Sequence, residues 1–318
     1  IYMTAQLNQF DEANNKRSVA TDLFPGFAEN RLSLSEGTEI AFLDNKLASG
    51  TPIVLLHGIF DGKITWFRLV EKIAGHRLIA PDLVGHGFSS KPAFATRPLH
   101  QRYSPDMQIE YLQEFISALQ LHEFILLGNS FGGGLALRLY LRYPELAKKI
   151  RGLVLIDSAG YPQKLPGYIR ELGGWQGRLI TSGPVRALAR WSGLLRLSTR
   201  QTLQRCFHDH DKIPSELIDS ASAALKTTGI FRAYHLSALN IVPPDIANFH
   251  RRFTEISCRT LILWGQQDRI IDPTSAARFA KDIPDSTVHT FPACGHAPHL
   301  EYPDEVARRI EAWTQVLQ

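Results

Sequence analysis

Three residue types that could together cleave an acyl bond stand in one chain order: Ser130, Asp268 and His296. Ser130 lies in Gly128-Asn129-Ser130-Phe131-Gly132-Gly133. An apolar run, Phe124 to Leu127, leads in, and a run with helical spacing, Leu135 to Tyr140, leads out. A G-x-S-x-G turn between a strand and a helix is a nucleophile elbow. Side chains at positions 128 and 132 would collide across so tight a turn, so glycine is needed at both. A serine hydroxyl is a poor nucleophile on its own. It needs a base within hydrogen-bond reach, and that base needs an orienting partner.

The chain has 12 histidines, so position decides among them. His296 lies in Cys294-Gly295-His296-Ala297-Pro298-His299, after the last strand-like run and before the last helix. Asp268 follows a strand in Trp264-Gly265-Gln266-Gln267-Asp268. Asp157 also stands at a strand end, so geometry leaves it open as the acid. Asp268 is preferred because its turn can reach the loop of His296. His57 and His86 read as structural hydrogen-bonding residues. His208-Asp209-His210-Asp211 reads as a solvated helix end, since residues one and two apart do not share a helix face. His299 could line the site or cap the final helix.

Acyl transfer also needs backbone N–H groups aimed at the developing oxyanion. Phe131, after the nucleophile, is one expected donor. Ile59, in the loop His57-Gly58-Ile59-Phe60, is the other. Phe60, Asn129, Trp191 and His299 are the candidate substrate-contacting residues. This chemistry calls for no cofactor and no metal.

The elements that must hold these groups alternate. Ile53 to Leu56, Arg77 to Ala80, Phe124 to Leu127, Leu153 to Ile156, Thr260 to Trp264 and Thr287 to Phe291 read as strands. A hairpin is expected over Leu32–Leu34 and Thr38–Leu43. Helices are expected from Thr65 to Ala74, from Pro105 through Leu119, after the elbow, from Pro273 to Ala280, and from Pro303 onward. Such alternation implies a mostly parallel sheet with helices on both faces, an α/β fold. Ligands bind such sheets beyond the carboxyl ends of the strands. His57, Ser130, Asp157 and Asp268 all fall there.

The alternation stops between residues 159 and 255. That stretch reads as helical pieces, among them Pro184–Leu197, Pro214–Leu225, Gly229–Leu239 and Pro244–Phe253. It is expected to form a helical cap inserted after the sixth strand. Residues 1–158 and 256–318 form the core. The cap carries 13 Lys/Arg against 7 Asp/Glu, a net of +6, while the whole chain is +4. Within Pro184–Leu197, Val185, Leu188, Trp191 and Leu195 fall near one face. That face reads as packing on the core, with contact to acyl chains or lipid as the alternative.

Composition bounds the rest. At 318 residues, 44% hydrophobic and 21% charged, the chain is an ordinary globular protein. The net charge is too small to call for nucleic acid. No apolar run approaches the roughly 20 residues of a membrane span. The polar N-terminus lacks a signal-peptide core, and three scattered cysteines, Cys206, Cys258 and Cys294, suggest no disulfide framework. A cytoplasmic protein is the expectation.

From about residue 30 onward the chain resembles the α/β-hydrolase superfamily. The resemblance rests on His57-Gly58-Ile59-Phe60, on Asp82-Leu83-Val84-Gly85-His86-Gly87, on the elbow, and on the Asp268/His296 pair. It implies a serine hydrolase, with Ser130 nucleophile, His296 base and Asp268 acid. Dehalogenases and epoxide hydrolases of the superfamily carry Asp at the elbow. Asn129-Ser130 resembles both carboxylesterases and the hydrolases that split carbon–carbon bonds of meta-cleavage products. Those C–C hydrolases usually carry Trp after the catalytic His, where this chain has Ala297. The esterase and lipase branch is therefore the expected one. C–C hydrolysis and a non-catalytic binding protein of the same fold are the alternatives.

Overall fold

Each central strand feeds two hydrophobic cores at once. Along Ile53–Leu56 (β4), Val54 and Leu56 join one buried cluster, and Ile53 and Leu55 join the other. Phe124–Asn129 (β6), Ile150–Ile156 (β7) and Arg259–Gly265 (β8) divide their apolar residues the same way. Successive side chains of a strand point to opposite faces, so a strand covered on both faces must be apolar throughout. That is why these runs carry no polar alternation.

The structure, a computed structural model, describes residues 7–8, 23–182 and 193–317. The remaining strands are Leu7–Asn8 (β1), Ala28–Ser33 (β2), Glu39–Asp44 (β3), Leu78–Pro81 (β5) and Ser286–Phe291 (β9). The nine form one sheet in the order β1-β2-β3-β5-β4-β6-β7-β8-β9. From β5 to β9 all neighbours are parallel, and β1, β2 and β3 pair antiparallel at one edge. The expected α/β architecture is thus present, hairpin included. The helical insertion follows Ile150–Ile156, the strand expected to precede it, which counts as the seventh here rather than the sixth. The extra strand is β1, whose two residues pair with Leu32 and Arg31 and are too few to show a period.

On one face lie helices Pro105–Ala118, Phe131–Arg142 and Ser275–Asp282. On the other lies Pro303–Thr314. The first starts sharply because Ser104 Oγ accepts the Met107 N–H at 3.2 Å and Pro105 needs no N–H partner. The helix expected over Thr65–Ala74 is shorter. A 3₁₀ turn, Lys63–Trp66, runs into a single α turn, Phe67–Val70. Its first residue is anchored to the sheet. Lys63 N–H and Nζ both bind the Asp82 carboxylate, at 2.6 and 2.7 Å, and Nζ also reaches Glu29 at 3.1 Å.

Between β7 and β8 the described residues contain helices and no strand. The larger helices are Leu194–Cys206, Ser215–Ala224 and Ile230–Leu239, preceded by the short pair Gly167–Gly173 and Trp175–Ile180. Pro244–Phe253 is broken into an α turn, Ile246–Phe249, and a 3₁₀ stretch, His250–Glu255. Of the expected helix Pro184–Leu197, residues 184–192 lie outside the described residues, and Trp191 with them. Leu195 is buried, and its helix continues to Cys206. The three cysteines are free thiols. No described helix is long and apolar enough to cross a membrane.

Candidate active site

Ser130 sits between β6 and helix Phe131–Arg142 with φ 54° and ψ −117°. A non-glycine residue there stores on the order of 1–3 kcal/mol of strain, which the surroundings must sustain. They do so through the backbone. Ser130 N–H donates to Ile156 O at 2.9 Å, and Ser130 O accepts Gly134 N–H at 3.1 Å and Ala159 N–H at 3.0 Å. The two flanking glycines are sterically required. A Cβ on Gly128 would lie 2.5 Å from the Gly132 carbonyl carbon, and one on Gly132 would lie 2.1 Å from Leu56 O.

His296 is placed by its loop and by the cap. Its N–H donates to Cys206 O at 2.6 Å, at the end of a cap helix. Its ring nitrogen Nδ1 lies 2.7 Å from Asp268 Oδ2. Asp268 is itself fixed, since Oδ1 accepts Ile270 N–H at 2.7 Å and Ile271 N–H at 3.1 Å. An ionised carboxylate takes these donors, so Nδ1 carries the ring proton and Nε2 is left as the basic nitrogen. Between the two aspartates open from sequence, the imidazole bonds to Asp268. Ser130 and His296 line the same cavity. Ser130 Oγ makes no hydrogen bond within the described residues, and such contacts commonly close only when substrate is bound.

Ile59 and Phe131 border that cavity as well. Phe131 opens its helix, and neither N–H donates to an acceptor among the described residues. Both are thus available to an oxyanion. The loop carrying Ile59 is braced by His57. Its Nδ1–H donates to Gly58 O at 2.7 Å, and its Nε2 accepts Leu83 N–H at 2.9 Å. Both nitrogens are occupied, which is a structural role. His86 is buried too, and burial pulls it down to about 3, so it stays neutral.

The other candidates divide. Phe60 lines the cavity at φ 61°, its ring 4.9 Å from that of Tyr234. His299 lines it as well, with Nε2 2.9 Å from Thr65 Oγ1. Burial brings His299 down to about 3, and it does not cap the final helix, which Tyr302 precedes without a side-chain bond. Asn129 borders the cavity, but its amide donates to Ile156 O at 3.1 Å and to His296 O at 3.4 Å. It acts as a strut between the elbow strand, β7 and the His296 loop. His208 to Asp211 do not form a regular helix end. Phe207 closes the helix, and His210–Lys212 is a 3₁₀ turn capped by Asp209.

The sequence reading passed over Glu301, although the site depends on it. Its buried carboxylate accepts Gly295 N–H at 2.7 Å, Asp209 N–H at 3.0 Å and His208 N–H at 3.1 Å. One anion therefore ties the loop before His296 to the base of the cap. The only signal was an acid directly after the apolar Ala297-Pro298-His299-Leu300 stretch. Glu301→Ala leaves three donors without this acceptor, and of these the Gly295 N–H is buried, so its loss costs about 1–3 kcal/mol. Unfolding in urea should show a loss of about 1–3 kcal/mol, and unchanged stability would show that the clamp carries little.

The cavity measures about 570 Å³. Its walls are mostly apolar cap side chains, including Leu172, Ile180, Leu203, Leu217, Leu225 and Phe231. Asp61 is an acid in this wall that the sequence reading did not single out, and burial raises its carboxyl above the ordinary value. The Cys206 thiol also lines it, pushed up to about 12 by burial and so uncharged.

The sequence profile of the alpha/beta hydrolase fold family matches residues 51–303. The chain belongs to that family. Among relatives, this hydrolase is 28% identical over 291 residues to Lipase 1 of Psychrobacter immobilis, spanning 90% of this chain and 84% of that one. It is 29% identical over 271 residues to 2-hydroxymuconate semialdehyde hydrolase of Pseudomonas putida, spanning 82% and 86%. Among solved structures, a membrane phospholipase A described as a bacterial virulence factor superposes with a TM-score of 0.72. It is 25% identical, and the match covers 95% of this hydrolase and 89% of that chain.

Proposed function

We propose that the protein cleaves carboxylic esters through an acyl-enzyme. The reading rests on one arrangement. A buried imidazole, bonded through Nδ1 to Asp268 at 2.7 Å, shares an apolar cavity with a strained serine. In this reading His296 Nε2 takes the Ser130 proton as Oγ attacks the ester carbonyl. Ile59 and Phe131 N–H groups hold the tetrahedral oxyanion. The alcohol leaves with the proton from His296. Water, deprotonated by the same nitrogen, then releases the acid. Asp268 keeps the imidazole in one tautomer and offsets its charge in both halves. The partner is a small-molecule ester, and the step needs no metal and no nucleic acid. The cap helices roof the apolar walls and take the acyl chain.

A second reading, C–C hydrolysis of a meta-cleavage product, is favoured by the 2-hydroxymuconate semialdehyde hydrolase relative. Against it stands position 297. It lines the cavity beside His296 with a small Ala rather than Trp.

A panel of p-nitrophenyl esters of rising acyl length, with a vinylogous 1,5-diketone beside it, tests both. The expected result is ester turnover blocked by a serine-directed phosphonate. kcat/KM should climb by up to about fourfold per methylene until the cavity is full, as burial of a CH₂ contributes about 0.8 kcal/mol. Faster turnover of the diketone than of every ester would reverse the choice.

A further inference from the structure

Asp157 follows β7, and the steps above do not use it. It is fully buried, and its backbone is held at φ 43°, uncommon for a residue with a Cβ. Oδ1 accepts Gly265 N–H at 2.9 Å. Oδ2 is buried without a partner. Donor atoms of Asp157, Asp268 and His296 all lie within 4.8 Å of one another. Two carboxyl groups therefore stand behind one imidazole.

The other titratable groups that act on Asp157 are Glu301 and Cys294, and neither is a cation. Two buried carboxylates this close repel each other, so a charge on one opposes ionisation of the other. The charge goes first to the better-solvated member. Asp268 receives Ile270 N–H, Ile271 N–H and the His296 ring, whereas Asp157 receives Gly265 N–H alone. Burial first, and then the Asp268 charge, push the Asp157 carboxyl well above the ordinary range.

We propose that Asp157 is the reserve acid of the site: an uncharged carboxyl beside Asp268 that takes over the negative charge next to His296 when Asp268 cannot carry it. The inference rests on the Ser130–His296–Asp268 reading and deepens it. The proton balance closes within the pair. In the intact protein the two carboxyls hold one proton, on Asp157, and one charge, on Asp268. With Asp268 replaced by a neutral residue, the repulsion that added to burial in keeping Asp157 protonated is gone, and the imidazolium that forms beside it favours the charged carboxylate. Its proton leaves to solvent, and the electron pair stays on the carboxylate, where it stabilises the imidazolium.

The test compares Asp268→Ala with the double variant Asp268→Ala/Asp157→Asn on one p-nitrophenyl ester across pH, with Ser130→Ala alongside. The infrared spectrum of each protein is recorded as well. Asp268→Ala should keep about tenfold more kcat than the double variant, the worth of one pKa unit on the imidazole. That advantage should vanish below the pH at which Asp157 takes up its proton. The wild type should show a protonated-carboxyl C=O band at neutral pH that fades in Asp268→Ala. Equal activity of the two Asp268 variants, or a wild-type spectrum without the band, overturns the proposal. The band is read on the wild type, so the proposal remains exposed even if the double variant does not fold. Full activity in Ser130→Ala would instead bring down the ester-hydrolase reading, so the two failures are distinct.

Discussion

Ser130→Ala is expected to lower kcat on p-nitrophenyl esters by about 10⁴–10⁶-fold, because members of such a triad act as a unit. The fold should survive. The elbow is held by the backbone bonds of Ser130 to Ile156, Gly134 and Ala159, and none of these uses the hydroxyl. Alanine can keep those bonds and the same left-handed backbone, so unfolding free energy should stay within about 1 kcal/mol of the parent. The substrate cavity is unchanged by the loss of one oxygen, so ester binding should persist and the loss should fall on kcat. A folded variant that keeps more than about a tenth of the activity would remove Ser130 from the mechanism, since triad losses are far larger.

The elbow was legible because its requirements are local. Two glycines, one serine and the runs on either side specify a turn whose sterics do not depend on the rest of the chain. The central strands were legible for a related reason. Burial on both faces demands uninterrupted apolar runs, and β4, β6, β7 and β8 supply them. The bonds that finish the site are long-range, and sequence carries almost no trace of them. Glu301 reaches His208 and Asp209, 93 and 92 positions away. Asn129 reaches the His296 carbonyl, 167 positions away. An Asn beside a nucleophile reads as a substrate contact. Here its amide is taken up by two backbone carbonyls. Asp157 and Asp268 likewise look alike at the level of sequence, each an aspartate after a strand. What separates them is the number of donors that folding brings to each.

The same three-dimensional accounting narrows the choice of base, and His296→Gln is the second large loss expected. Glutamine has similar reach but no nitrogen that can accept and return a proton near neutral pH. The kcat loss should therefore rival that of Ser130→Ala, about 10⁴-fold or more. No neighbouring imidazole can step in. His57 has one ring nitrogen committed to Gly58 O and the other to Leu83 N–H. His299 is nearest along the chain, but burial holds it at about 3, and its Nε2 is engaged with Thr65. The variant also separates positioning from chemistry. The His296 main-chain N–H bond to Cys206 and its carbonyl bond to Asn129 do not involve the ring, so loop and cap should remain docked. The measurement is kcat of both folded proteins on one p-nitrophenyl ester. A variant that keeps the wild-type rate would assign the proton transfer to another group.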